Sequence, residues 1–193
     1  MKDTTIPHIP TELESIEQAT LELGFSMASD RQTGALLRTL VASKPDGRVL
    51  ELGTGTGLST SWLLSGMSEE AVLESVDNDG EAVSIAERFL GHDYRVTFSV
   101  KDGLTFLKSL QGKSKFDVIF ADSWPGKYND LELALNVLNR GGFYVIDDML
   151  PQPNWPEDHP PKVAALLNTI DALEGYHLTR LCWSTGIILV VKE

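Results

Sequence analysis

The 193-residue sequence predicts an α/β fold. The expected architecture is a doubly wound, mostly parallel sheet of seven strands. It ends in an antiparallel hairpin and carries extra N-terminal helices. Three observations predict it. From residue 48 onward, short apolar runs alternate with stretches of helical spacing, the pattern of strands joined by crossover helices. One junction, Arg48-Val-Leu-Glu-Leu-Gly-Thr-Gly-Thr-Gly-Leu-Ser-Thr60, reads as strand, glycine turn and helix start. The last two apolar runs are separated only by Ser184-Thr-Gly186, short enough for a hairpin.

Residues 1–10 hold Pro7 and Pro10 and read as an extended arm. Thr11 opens a first helix, with Glu14 placed for a capping box and Leu13, Ile16, Ala19 and Leu23 on one face. It breaks near Gly24. Asp30 caps a second helix, whose apolar face is Leu36, Leu37, Leu40 and Val41, and Lys44-Pro-Asp-Gly47 ends it. These two helices either cover a sheet edge or roof a site with Ser29 to Gly34 at its rim. The later strands are expected at Val72–Asp77, Tyr94–Ser99, Phe116–Asp122, Phe143–Asp147, His177–Trp183 and Ile187–Lys192. Helices fall at Leu58–Leu64, Glu81–Leu90, Leu104–Leu110, Leu131–Leu138 and Lys162–Leu173. A proline-rich loop spans Pro151 to Pro161. Residues 1–193 are expected to form one domain, with 1–43 as arm and helices and 48–193 as core.

The net charge of −12 argues against binding a nucleic-acid backbone and suits a small-molecule partner. No apolar run reaches the length of a membrane span. Met1-Lys-Asp-Thr-Thr leads into prolines rather than an apolar segment, so a cytoplasmic location is expected. The one cysteine, Cys182, lies in an apolar run and is expected in the core. Association into a homodimer is left open.

Gly53, Gly55 and Gly57 alternate in the turn, and Leu58 stands where a dinucleotide fingerprint would place its third glycine. Glu51 at the strand end repels a pyrophosphate and suits a cation. S-adenosylmethionine carries an ammonium and a sulfonium and no phosphate. Glu51-Leu-Gly-Thr-Gly-Thr-Gly57 resembles the first motif of class I S-adenosylmethionine-dependent methyltransferases, whose core is Rossmann-like. The resemblance implies that Glu51, Gly53, Thr54, Gly55, Gly57, Ser59 and Asp122 surround that cofactor. Asp77, twenty residues after Gly57, stands where an acidic side chain accepts from ribose hydroxyls, with Asn78 beside it toward the adenine. Asp102-Gly103 resembles the position that meets the adenine amino group, and Asp102 also reads as a helix N-cap.

Phe116-Asp-Val-Ile-Phe-Ala-Asp-Ser-Trp-Pro-Gly-Lys-Tyr128 is similar to the catechol and caffeoyl-CoA O-methyltransferase-like branch, through Asp122, Trp124 and Tyr128. Gly141-Gly-Phe-Tyr-Val-Ile-Asp-Asp148 is similar to its next element. In metal-dependent members the equivalents of Asp122, Asp147 and Asp148 hold a divalent ion such as Mg²⁺, which binds two acceptor hydroxyls and lowers the pKa of the methylated one. Two departures stand out. Asp148 replaces an Asn, and Pro125 replaces the usual catalytic Lys. The candidate proton acceptors are therefore Asp122, Lys127 and His159, the alternatives being a surface lysine and an exposed loop histidine. Trp124, Asp147, Asp148 and Trp155 are the candidate acceptor-binding residues. Trp155 either forms a lid or packs on the last hairpin. The resemblance implies methyl transfer from S-adenosylmethionine to an oxygen of a small molecule. Aminopropyl transfer and cofactor binding without catalysis are the alternatives.

Overall fold

The computed structural model describes residues 2, 4–113, 115–152 and 155–193. The chain runs α1 (Leu13–Leu23), α2 (Arg31–Ala42), β1 (Arg48–Leu52), α3 (Leu58–Gly66), β2 (Val72–Asp77), α4 (Gly80–Leu90) and β3 (Val96–Val100). It continues through α5 (Gly103–Leu110), β4 (Phe116–Ala121), α6 (Leu131–Asn136), β5 (Leu138–Ile146), α7 (His159–Asp171), β6 (Tyr176–Leu181) and β7 (Ile187–Lys192). The strands form one sheet in the order β3-β2-β1-β4-β5-β7-β6. The first five are parallel, and β7 runs antiparallel to both β5 and β6. The chain thus starts in mid-sheet at β1, with β2 on one side and β4 on the other. The crevice at such a switch point, at the carboxyl ends of the strands, is where ligands bind in open α/β sheets.

Two apolar clusters hold the layers together, one on each face of the sheet. One packs α5, α6 and α7 against Leu50, Leu52, Ile119 and Tyr144. The other packs α1, α2 and α3 against Val49, Val118 and Phe120. Alternate residues of β1 and β4 feed opposite clusters, as the two-residue period of a strand requires. α3 is buried around most of its circumference, because it lies between the sheet and α2. Gly34 makes that approach feasible: a Cβ there would stand 2.2 Å from the Trp62 ring.

The expected element order is observed, and the differences are local. α1 starts at Leu13 with Glu12 at its N-cap and no side-chain cap, so the Thr11 capping box does not form. Asp30 does cap α2, accepting from the Thr33 N–H at 2.8 Å. β5 begins five residues early, at Leu138. Its pairing with β4 is irregular between Phe116 and Val118, which lets Gly141-Gly142 sit inside a strand. α7 begins at His159, because Pro160 and Pro161 occupy a first turn whose N–H groups need no helical partner. Cys182 is exposed, not buried: it follows β6, the edge strand. Among the described residues, no helix is long and apolar enough to cross a membrane.

Candidate functional site

A cavity of about 350 Å³ opens at the carboxyl ends of β1, β2 and β4. Its floor is the turn Gly53–Thr56. One wall is Asp77–Asp79 with Asp102 and Gly103. The opposite wall is Asp122–Pro125, and the roof is Phe25 and Met27–Ser29 from the α1–α2 connector. Of the residues expected around a cofactor, Gly53, Thr54, Gly55, Ser59, Asp77, Asn78, Asp102, Gly103 and Asp122 all line it.

Gly55 carries φ +51°, and a Cβ there would lie 3.3 Å from the Phe25 ring, across the opening. Its N–H donates to Asp77 Oδ2 at 2.8 Å, and Asp79 N–H donates to Asp77 Oδ1 at 3.0 Å. The carboxylate is thereby fixed at the cavity wall, with lone pairs left for hydroxyl donors. Asp102 caps α5, accepting from both the N–H and the hydroxyl of Thr105 at 2.8 Å. Both of its expected roles are geometrically compatible.

Glu51 and Gly57 are not at the cavity wall. Glu51 lies beneath the turn, 0% exposed, with Oε2 accepting from Thr60 Oγ1 and Ser75 Oγ at 2.6 Å each. Oε1 has no partner. Burial pushes this carboxyl up to about 7, the Asp77 charge adds to it, and the Ser59, Ser75 and Thr60 hydroxyls oppose it. Gly57 faces α4, where a Cβ would meet Ala86 at 2.8 Å. Phe25 and Met27 are roof residues beyond those expected from the sequence. Two large apolar residues in a short polar connector, Gly24-Phe-Ser-Met-Ala-Ser29, were the signal available.

A second cavity of about 320 Å³ lies between α7 and the loop after β4. Trp124, 45% exposed, lines both cavities. Lys127, Tyr128 and Lys162 line the second. His159 is buried at the start of α7, not exposed in a loop, and its Nε2 lies 3.0 Å from the Tyr128 hydroxyl. Trp155 packs on His159 with ring centres 4.4 Å apart, and Trp124 stands 6.3 Å from His159 on another side. Pro153 and Asn154 of the expected lid lie outside the described residues. Burial, then the charges of Lys127 and Lys162, hold His159 below its ordinary pKa, so its imidazole is neutral at pH 7.

Asp122 and Asp147 end neighbouring strands. Asp147 is 1% exposed and accepts from the Thr185 hydroxyl and from Asp148 N–H. Burial pushes it up to about 6. Asp122 Oδ2 accepts from Ser29 Oγ at 2.8 Å. Burial, then the Asp147 charge, push Asp122 well above the usual carboxylate range, and Lys127 opposes this. Asp148 follows in a left-handed conformation, φ +56°. Among the described residues, no three His, Cys, Asp or Glu side chains converge as a metal ion requires. The expected trio of Asp122, Asp147 and Asp148 therefore does not fit a divalent ion as placed. Oxygens of two of them already accept from Ser29, Thr185 and a backbone N–H.

Residues 50–149 match the methyltransferase domain family, over more than half of the chain. A protein from Mycobacterium sp. (strain KMS) named "Putative O-methyltransferase" is 30% identical over 144 residues. That match covers 69% of this chain but only 64% of the mycobacterial one, less than two-thirds of its length. An Arabidopsis thaliana protein named "Putative caffeoyl-CoA O-methyltransferase" is 27% identical over 159 residues, covering 78% of this chain and 68% of that one. The crystal structure of an O-methyltransferase from Bacillus cereus in complex with S-adenosylhomocysteine superposes with a TM-score of 0.84. It is 22% identical and covers 99% of this chain and 94% of its own, a likeness of fold. With its glycine turn, its sheet order and this family match, the chain belongs to the class I S-adenosylmethionine-dependent methyltransferase family.

Proposed function

We propose that this chain, working in the cytoplasm as one domain over residues 1–193, moves a methyl group from S-adenosylmethionine to an oxygen of a small-molecule acceptor. The observation that carries the reading is a pair of cavities meeting at Trp124, one floored by the Gly53–Thr56 turn and the other lined by Tyr128 with both basic (Lys127, Lys162) and acidic (Asp130, Glu132) side chains. The turn suits this cofactor, since Gly55 leaves its opening clear of a Cβ and Asp77 presents a fixed carboxylate to ribose hydroxyls. When bound, the cofactor supplies a methyl group on a positively charged sulfur. The protein's part is then alignment and handling of the acceptor's proton. Trp124 stands between the two cavities and restricts the approach of an acceptor. Neutral His159, bonded to Tyr128, has a nitrogen that can take up a proton through that hydroxyl. Asp122 and Lys127 flank the same junction.

Two measurements test this. Calorimetry with S-adenosylmethionine and S-adenosylhomocysteine asks whether the first cavity is the cofactor site. Formation of S-adenosylhomocysteine with a panel of catechols, phenols and small acids, with and without Mg²⁺, asks for turnover and for a role of the ion. Failure to bind either nucleoside would overturn the reading. Asp77→Ala is expected to weaken S-adenosylhomocysteine binding by about 1–3 kcal/mol, because it leaves charged hydrogen bonds unmade and frees the Gly55 N–H. Unchanged affinity would remove Asp77 from the site.

A further inference from the structure

The connector between α1 and α2 roofs the first cavity with Phe25, Met27, Ala28 and Ser29. It leaves α1 at Gly24, whose left-handed backbone has open space where a Cβ would stand. Its far end is held from 154 positions away along the chain: Ser184, in the turn between β6 and β7, donates its hydroxyl to Asp30 Oδ2. A hydroxyl has one hydrogen, so the Thr33 hydroxyl at 3.0 Å donates to the Ser184 oxygen. Asp30 Oδ1 accepts from Thr33 N–H, so one carboxylate both caps α2 and meets the turn. The turn itself is a firm post. Gly186 N–H closes it by donating to Trp183 O at 3.0 Å. Met149 N–H and Leu150 N–H, from the chain after β5, donate to Gly186 O at 3.0 Å and Thr185 O at 2.8 Å. The Thr185 hydroxyl donates to Asp147. Ser184 is held at φ +57°, a left-handed conformation that serine rarely adopts and that persists where the surroundings fix it.

We propose that the β6–β7 turn is a latch on the cofactor roof, with Ser184 as a positioning residue: its bond to Asp30 keeps the Phe25–Ser29 segment closed over the first cavity. The bond from Ser29 to Asp122 at 2.8 Å, one residue earlier, closes the same segment onto the cavity wall. Glycine would suit the backbone at 184 better. Serine there brings a hydroxyl, and that hydroxyl goes to the start of α2. A nucleoside on the Gly53–Thr56 floor lies under the connector, so it leaves when the connector lifts. Lifting breaks a hydrogen bond to a carboxylate while the turn stays on the chain after β5. The nucleoside's part rests on the methyl-transfer reading above; the closure of the connector does not.

Ser184→Gly separates the latch from the fold, because glycine accepts the left-handed backbone and only the side chain is lost. Asp30→Ser is its partner: the single serine oxygen caps α2 and leaves none for Ser184. Two rates are read. One is chymotrypsin cleavage after Phe25 in the ligand-free protein. The other is release of labelled S-adenosylhomocysteine into an excess of the unlabelled nucleoside. Each variant is expected to raise both rates at least about fivefold, the effect of losing one charge-assisted hydrogen bond. The double variant should add nothing further, since both changes remove the same tie. The melting temperature of Ser184→Gly should stay level or rise, whereas a merely structural role would lower it as the rates quicken. Wild-type cleavage in both variants, or faster rates matched by a lower melting temperature in Ser184→Gly, would overturn the proposal. So would faster cleavage with unchanged release, since the connector would then open without governing the nucleoside. Where Ser184→Gly does not fold, Asp30→Ser decides by the same two rates. Wild type that binds no S-adenosylhomocysteine removes the methyl-transfer reading, and cleavage alone then decides the latch. Normal wild-type binding with both rates unchanged in the variants removes the latch alone.

Discussion

Gly55→Val is expected to weaken S-adenosylmethionine binding at least about a hundredfold, roughly 3 kcal/mol or more. Two effects combine. The position has φ +51°, which a β-branched residue adopts only under strain of about 1–3 kcal/mol. The new Cβ points across the mouth of the first cavity toward Phe25, 3.3 Å away, so the isopropyl group fills ligand space. If the turn shifts to relieve this, the Gly55 N–H leaves Asp77 and the carboxylate loses its position. Either route removes the site and leaves the core clusters intact. Gly57→Ala is the control. Its Cβ meets Ala86 of α4 at 2.8 Å, so it should lower the melting temperature and act on binding only through the fold. The measurement is calorimetry with S-adenosylhomocysteine, with melting curves alongside. Wild-type affinity in Gly55→Val would mean that the turn is structural only.

That contrast between two glycines shows where sequence and structure part. The order of strands and helices was legible because the strands are short apolar runs, buried on both faces in mid-sheet, and the helices repeat every 3.6 residues. The cap at Asp30 and the turn at Gly24 were legible because they are local. What was not legible depends on partners distant along the chain. Ser29 bonds Asp122 across 93 positions, and the Phe25–Ser29 roof exists only because α1 and α2 fold back over the sheet. The side on which Glu51 lies was misread for a similar reason. Its identity suggested a cofactor contact, but it meets Thr60 of α3 and Ser75 of β2 below the turn. The start of α7 was misplaced because prolines were read as loop, although two of them suit a helix's first turn. The resemblance makes the three carboxylates a metal set, but the sequence has no sign that Ser29 and Thr185, far along the chain, donate to two of them.

The buried Glu51 leads to a prediction about stability and pH. An unburied glutamic acid titrates near 4.5, and here burial pushes the group up to about 7. Between those values the folded state holds a proton that the unfolded state has released. Stability therefore falls as pH rises from about 4.5 through 7 and levels off above that, the reverse of the usual salt-bridged carboxylate. The gap corresponds to roughly 3 kcal/mol lost over the window. Asp147, raised to about 6 by burial, and Asp122 act in the same direction, so the wild-type slope alone does not isolate Glu51. Glu51→Gln does. The amide oxygen can still accept from Thr60 and Ser75, and no charge has to be buried at any pH. Relative to wild type, the variant should gain about 3 kcal/mol between pH 4.5 and pH 8. Denaturant unfolding of both proteins across that range measures the difference. Stability curves that run parallel would show that Glu51 ionises without cost beneath the turn, and that the carboxyl is reached by water or by a proton donor.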